Sequence, residues 1–262
     1  VSGKKGVEVG TRKAWDLCEK YKIPRIFFVT DMDDDNASFR RVIERLTELY
    51  GKRIAPFHSP IRENEKFVGF VNVVKMAGRK FTKLSEYEEC PIPDYSMEYV
   101  TKYREALMDA VAETSEEMME KYFEGEEFTA QEISTALRSS VIDCSIVPVL
   151  MGSGLNGQGT NMLLQAVEKY FPSPNKCVIT GINAKTGETF AADYDANRPM
   201  TAKVFKTIAD PFIGKFSFIK VCSGILKSDD AIYNVDKQTE EKLSRLYILR
   251  GKEQIEVKEL YA

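Results

Sequence analysis

The 262-residue sequence predicts an α/β domain carrying an α+β insertion, followed by a small antiparallel β-barrel. Three observations carry this. A helix, buried-strand, polar-loop, helix rhythm runs from Val9 to Gly51 and resumes from Ile146 to Tyr170, as in α/β domains. Between these stretches the pattern changes to β-rich runs followed by three helical segments. From Ala202 to Asp230, alternating apolar residues with turn signals have the spacing of a small barrel.

Residues Val9–Tyr21 have helical periodicity, with Ala14, Trp15, Leu17 and Cys18 available for one face. Pro24 punctuates, and Arg25–Thr30 is a continuous apolar run of the kind found in parallel strands buried on both faces. The acidic loop Asp31–Asn36 follows, and then a helix from about Ala37 to Tyr50, closed by Gly51. Ile54–Lys83 is β-rich, with a run at Phe67–Lys75 and a turn expected at Ala77-Gly78. Helices are expected at about Tyr95–Glu113, Ser115–Glu124 and Thr129–Val141. Strand Ile146–Met151, loop Gly152–Gly159 and helix Thr160–Tyr170 complete the α/β rhythm. Pro172-Ser-Pro174 ends that helix, since proline lacks the amide to continue it. Cys177–Pro199 leans to β with a turn at Lys185-Thr-Gly187. Strands at Lys203–Thr207 and Phe216–Val221 then flank a turn at Asp210-Pro211, and Ser223-Gly224 makes another.

Composition bounds the function class. With 43% hydrophobic and 29% charged residues, the chain reads as an ordinary globular protein of two domains. A net charge of −3 argues against a globally basic nucleic-acid binder. No apolar run approaches the roughly 20 residues of a membrane span. Val1-Ser-Gly-Lys-Lys-Gly is polar and has no initiator Met, so the expectation is an internal piece of a longer protein. The five cysteines are scattered without a CxxC pair and His58 is the sole histidine. A structural zinc site is therefore set aside, and free thiols in a reducing cytoplasm are expected.

Gly152-Ser-Gly154-Leu-Asn-Gly157 spells GxGxxG between a strand and a helix. In a dinucleotide fold such glycines admit a pyrophosphate to backbone amides. The fingerprint also needs an acid at the end of the next strand. Here that run, Cys177–Ile182, ends in Gly181-Ile-Asn183. A dinucleotide enzyme built on Gly152–Gly157 stays a minor alternative.

The Ala202–Asp230 block resembles the barrel that follows the GTPase domain in elongation factor G-like translational GTPases. Pro148–Pro174 resembles the family's last nucleotide motif, and Lys20–Phe39 the segment that ends in Asn-Lys-x-Asp. The resemblance covers Val7–Ala262 and implies a partial P-loop GTPase-type sheet. It places the C-terminal part of a GTPase domain at 1–172, with an inserted subdomain at about 52–143. The barrel domain falls at 173–262, expected to be truncated at its C-terminal end. The implied cofactor is GTP or GDP, with Mg in the full-length parent. Ser153 and its neighbour Gly154 would present backbone groups to guanine O6. The Asn-Lys-x-Asp positions read Thr30-Asp31-Met32-Asp33. Asp33 keeps the carboxylate that accepts from guanine N1 and N2; Thr30 loses the amide, and Asp31 puts an anion where the family has a cation. The alternative for this stretch is a solvated acidic loop, Asp31–Asp35.

No GxxxxGK[ST] occurs, so this stretch carries no catalytic residue and no Mg ligand, and it should be inactive alone. The 120 residues from Asp33 to Ser153 match the family's translocase branch, which carries an insert there. The implied activity is GTP hydrolysis coupled to translocation or a related ribosomal step. The implied partners are rRNA and ribosomal proteins, including the stalk protein at the insert, with no membrane, DNA or obligate oligomer. Two readings stay open for Ser115–Glu127: a solvated face with Met118, Met119, Tyr122 and Phe123 packed inward, or a docking surface. Lys203, Lys206, Lys215 and Lys220 serve either edge protection or RNA phosphates. A ribosome-binding paralogue with altered nucleotide use is the main alternative.

Overall fold

The computed structural model describes residues 1–83, 86–176, 179–183, 185–210 and 214–262. Two units divide the chain, Val1–Phe171 and Pro172–Ala262.

The first unit opens with α1 (Val9–Tyr21), β1 (Phe27–Val29), α2 (Phe39–Tyr50) and β2 (Ile54–Pro56). It continues through β3 (His58–Glu63), β4 (Lys66–Asn72), β5 (Ala77–Lys83) and β6 (Glu86–Cys90). Helices α3 (Asp94–Ala112), α4 (Glu116–Glu124) and α5 (Ala130–Ile142) precede β7 (Val147–Met151) and α6 (Thr160–Tyr170). A parallel sheet has the order β1-β7-β2, and β3-β4-β5-β6 form an antiparallel meander. Every residue of β7 is buried, as its central place requires. Side chains alternate along a strand. Val147, Val149 and Met151 therefore join one core with Val29, Met32, Val42 and Leu46. Ile146 and Leu150 join the opposite one with Phe57, Leu107, Leu137 and Tyr170. Each such side chain contributes about 1.5–3 kcal/mol. Ile54–Pro56, at the start of the expected insert, is an edge strand of the parallel sheet because its backbone pairs with β7.

Local signals explain the helix starts. The Ser38 hydroxyl accepts from Arg41 N at 3.3 Å, and the Ser115 hydroxyl accepts from Met118 N at 3.2 Å. Thr129 and Glu132 form a reciprocal capping box.

Several expectations are corrected. The ladder of β1 covers Phe27–Val29 rather than Arg25–Thr30, since Arg25 turns its guanidinium onto the Trp15 ring at 3.9 Å. The reversal between β4 and β5 occupies 73–76, with Met76 at φ 52°, so Ala77-Gly78 is strand. Gly78 is small because a Cβ there would meet Cys90 O at 2.5 Å. Only Trp15 of α1 is buried; Leu17 is 55% exposed and Ala14 is exposed. On α4, Met118 packs inward whereas Tyr122 and Phe123 face out, Phe123 at 80% exposure. The Tyr122 hydroxyl instead donates to Asp109 at 2.5 Å.

The second unit is antiparallel throughout its described strands. It comprises β8 (Ile179–Ile182), β9 (Thr189–Ala192), β10 (Thr201–Asp210), β11 (Gly214–Ser223) and β12 (Ile225–Lys227). Then come β13 (Ala231–Asn234), β14 (Thr239–Lys242), β15 (Leu246–Arg250), β16 (Glu253–Val257) and β17 (Glu259–Tyr261). The pairs are β8-β9, β10-β11, β12-β17, β13-β14 and β15-β16. Val221, Leu226 and Leu246 are buried together, with Ile232, Val257 and Leu260 packed against them. Six strands thus share one core, in keeping with a barrel. Ala202 pairs with Val221 and Asp210 with Gly214. Pro211 of the expected turn, like Cys177, lies outside the described residues. The Lys185-Thr-Gly187 turn joins β8 to β9, with Gly187 N donating to Asn183 O at 2.8 Å. Gly224 has φ 70°, and a Cβ there would strike Met200 Cα at 2.6 Å. Cys18, Cys90, Cys144 and Cys222 are free thiols. No helix is long and apolar enough to cross a membrane.

Candidate functional site

Parallel strands β1 and β7 end side by side, with Val29 in register with Met151. Ligands of α/β sheets bind beyond such carboxyl ends, and the loops that leave here are Thr30–Asn36 and Gly152–Gly159. A pair of backbone bonds clamps them: Gly152 N donates to Val29 O at 2.9 Å, and Met32 N to Gly152 O at 3.3 Å. Met32 is fully buried between them. Gly152 makes the approach possible, since a Cβ would lie 2.2 Å from Gln158 O.

Each residue singled out in the sequence takes a distinct place. Thr30 continues β1 into a parallel bridge with Ser2, and its N donates to Val1 O at 2.8 Å. Asp31 sits at φ 61°, and its carboxylate accepts from the Ser2 hydroxyl at 2.5 Å. Asp34 is held by Lys4 at 2.8 Å and accepts from Asn36 N at 2.8 Å. The Lys4 ammonium, followed by the Asn36 amide, keeps the Asp34 carboxyl below its ordinary value. Asp33 is exposed and has no hydrogen-bond or ion-pair partner among the described residues. The acidic loop is thus not uniform: two of its carboxylates are spent on local structure.

Ser153 is fully buried. Its N already donates to Gln158 O at 2.9 Å, and its hydroxyl accepts from Asn156 N at 3.1 Å. It shapes the loop, and its amide is not free for a ligand. Gly154 is exposed, and a Cβ placed on it would meet nothing within 4 Å. Its amide has no acceptor among the described residues. An open backbone donor and an unpartnered carboxylate therefore stand on adjacent loops, a pairing suited to a ligand edge with one acceptor and two N–H donors. The glycines of Gly152–Gly157 have reasons internal to the loop, Gly152 by close approach and Gly157 by φ 65°.

One residue had no signal in the sequence. Arg62, on β3, donates to Met32 O at 3.0 Å and Ala37 O at 3.1 Å. The β4 backbone likewise accepts from Gln158 Nε2, at 3.4 Å from Phe67 O. The antiparallel sheet thereby braces both loops. Among the described residues no cluster of three or more His, Cys, Asp or Glu could hold a metal ion.

Residues 1–173 match the family model for the elongation factor Tu GTP binding domain, and residues 199–262 that for elongation factor G domain 2. A crystal structure of a Thermus thermophilus protein is similar over 100% of this chain at 30% identity, with a TM-score of 0.78. The chain spans 36% of that protein's length. A guanine-nucleotide-binding family, a parallel sheet bearing two loops at its carboxyl edge, and an antiparallel second unit agree with one another, and the chain belongs to the elongation factor G-like translational GTPases.

Proposed function

We propose that residues 1–172 form the base-reading part of a GTPase domain and 173–262 the barrel domain of a ribosome-associated GTP hydrolase. The observation that supports this is the Met32–Gly152 clamp, which ties the loop bearing the Asp33 carboxylate to the loop bearing the open Gly154 amide. Asp33 accepts from guanine N1–H and N2–H, and Gly154 N–H donates to O6. Ser153 holds the loop in shape, while Thr30 and Asp31 fix the approach of the acidic loop to the neighbouring strand. The phosphate cradle and any Mg ligands lie in other parts of the parent protein. Hydrolysis then serves a step on the ribosome in the cytoplasm, with the barrel lysines near rRNA and the inserted helices towards the stalk protein.

Asp31 supports a second reading. An anion tied to Ser2 stands where the family carries a lysine, which favours a ribosome-binding paralogue with weakened nucleotide use. Calorimetry on the full-length parent separates the two. A hydrogen bond to a charged group contributes roughly 1.5–3 kcal/mol, so Asp33→Ala should weaken GDP binding about ten- to a hundredfold. Unchanged GDP affinity in that variant favours the paralogue.

A further inference from the structure

Behind the nucleotide edge, a cavity of about 150 Å³ opens between β3, β4, β5 and α6, and nothing in the base-reading role uses it. That is the volume that accepts a benzene-sized ring. Its apolar walls include Phe57, Phe70 and Tyr170, with Phe57 and Tyr170 edge to face at 5.1 Å. Its polar lining is one-sided: Lys75, Arg79 and Lys169 contribute cations, and no carboxylate lines it. Neither lysine ammonium has a carboxylate within salt-bridge distance among the described residues. Arg79 reaches Glu89 at 3.9 Å, a carboxylate that is 82% exposed, and its guanidinium lies over the Tyr87 ring at 4.5 Å; the Lys169 ammonium lies over the Tyr170 ring at 5.1 Å.

The floor holds donors that the fold leaves unanswered. His58 is 7% exposed and lines the cavity. The Asn72 Oδ1 accepts from Lys75 N at 2.9 Å, which turns its Nδ2 towards His58 Nε2 at 3.5 Å. Nε2 therefore accepts, and the ring proton belongs on Nδ1, a buried atom with no partner; Arg79 Nε is a second one. Burial, with help from the Arg79 guanidinium, pushes His58 down to about 3, so the ring is neutral at physiological pH. Burial, followed by repulsion from Lys75, also lowers Lys169. Buried donors without acceptors are rare enough to need an explanation, and three cations around one cavity whose lining holds no carboxylate give it a positive field that favours an anion.

We propose that this cavity binds a single-ring organic carboxylate, its ring against Phe57, Phe70 and Tyr170 and its anionic group towards Lys75, Arg79 and Lys169. The site is independent of the guanine-reading loops and stands whether or not they bind a base.

His58 is the sole histidine, so selective labelling of the full chain gives one imidazole signal as a local reporter. Titration uses benzoate, its neutral counterpart benzyl alcohol, and inorganic phosphate. Benzoate should shift the signal saturably with a Kd of about 1 mM or tighter, and the other two should bind at least about tenfold more weakly. The exposed pair Lys75→Gln/Lys169→Gln should weaken benzoate about tenfold, leave benzyl alcohol unchanged and keep the thermal midpoint. No saturable benzoate shift up to about 10 mM overturns the proposal. Phosphate binding as tightly as benzoate overturns the ring, and benzyl alcohol binding as tightly overturns the charge. An undiminished double variant removes the lysines from the site.

Discussion

From β3, Arg62 reaches 30 residues back to Met32 O and 25 residues back to Ala37 O, both through Nη2, so one guanidinium nitrogen on one sheet sets the path of a loop on another. Removing it strands two carbonyls, one of them beside the fully buried Met32. Arg62→Ala should cost about 1–3 kcal/mol in denaturant unfolding and speed amide exchange across Met32–Asn36. Lys at this position should recover only part, since its shorter reach and single nitrogen cannot also replace the Nη1 bond to Glu65 O. Unaltered exchange in the alanine variant would mean that the loop holds itself. Such a contact is invisible in sequence, because nothing local marks Arg62 as different from other arginines. That Asp33 and Ser153 lie in the loops leaving β1 and β7 was legible from spacing; that the Ser153 amide is bonded to Gln158 O within its own loop was not. Which carboxylates are spent was not, since Ser2 and Lys4 meet the loop only when their segment lies beside β1.

At the scale of elements, helix ends were readable to within a residue or two because caps are local. Thr129 and Glu132 answer each other across one turn, and Lys121 of α4 reaches Glu132 at 2.6 Å. The Lys121 ammonium, then the Thr129 amide and hydroxyl, hold the Glu132 carboxyl down at about 2. A depressed carboxyl stabilises the fold above its unfolded value and loses that contribution as pH falls. Acid unfolding should therefore steepen from about pH 4.5 down to about pH 2, and Glu132→Gln should flatten that part of the curve. Thr129→Ala should cost about 1 kcal/mol at neutral pH. An acid-unfolding curve identical to that of the parent in Glu132→Gln would remove Glu132 from the α4–α5 junction. The faces of α1 and α4 were misread for a physical reason: periodicity finds an apolar stripe but does not say what covers it. Leu17 and Phe123 belong to such stripes yet stay in solvent. Gly78 was read as a turn because close backbone packing inside a sheet also selects glycine.

For the whole molecule, the α/β rhythm, the insertion and the antiparallel second unit were all visible as changes in hydrophobic period. The exchange of strand order was not: β7 enters between β1 and β2 after some 90 residues of inserted chain. Long-range pairing of that kind leaves no local mark. The chain also spans only 36% of its Thermus relative and contains no phosphate-binding P-loop sequence. Phosphate contacts supply much of the affinity for a nucleotide, so calorimetry of this chain alone should detect no micromolar binding of GDP or NAD. Micromolar GDP binding would show that the base loops suffice without a cradle. The base-reading claim itself is tested most directly in the full-length protein by Asp33→Asn. A carboxylate accepts two N–H groups, whereas an amide accepts one and donates one, which matches xanthine with its C2 oxygen in place of the guanine amine. The variant should lose GDP affinity about ten- to a hundredfold and gain in affinity for xanthosine diphosphate, reversing the preference. An unchanged preference for GDP over xanthosine diphosphate would contradict a role for Asp33 at the base.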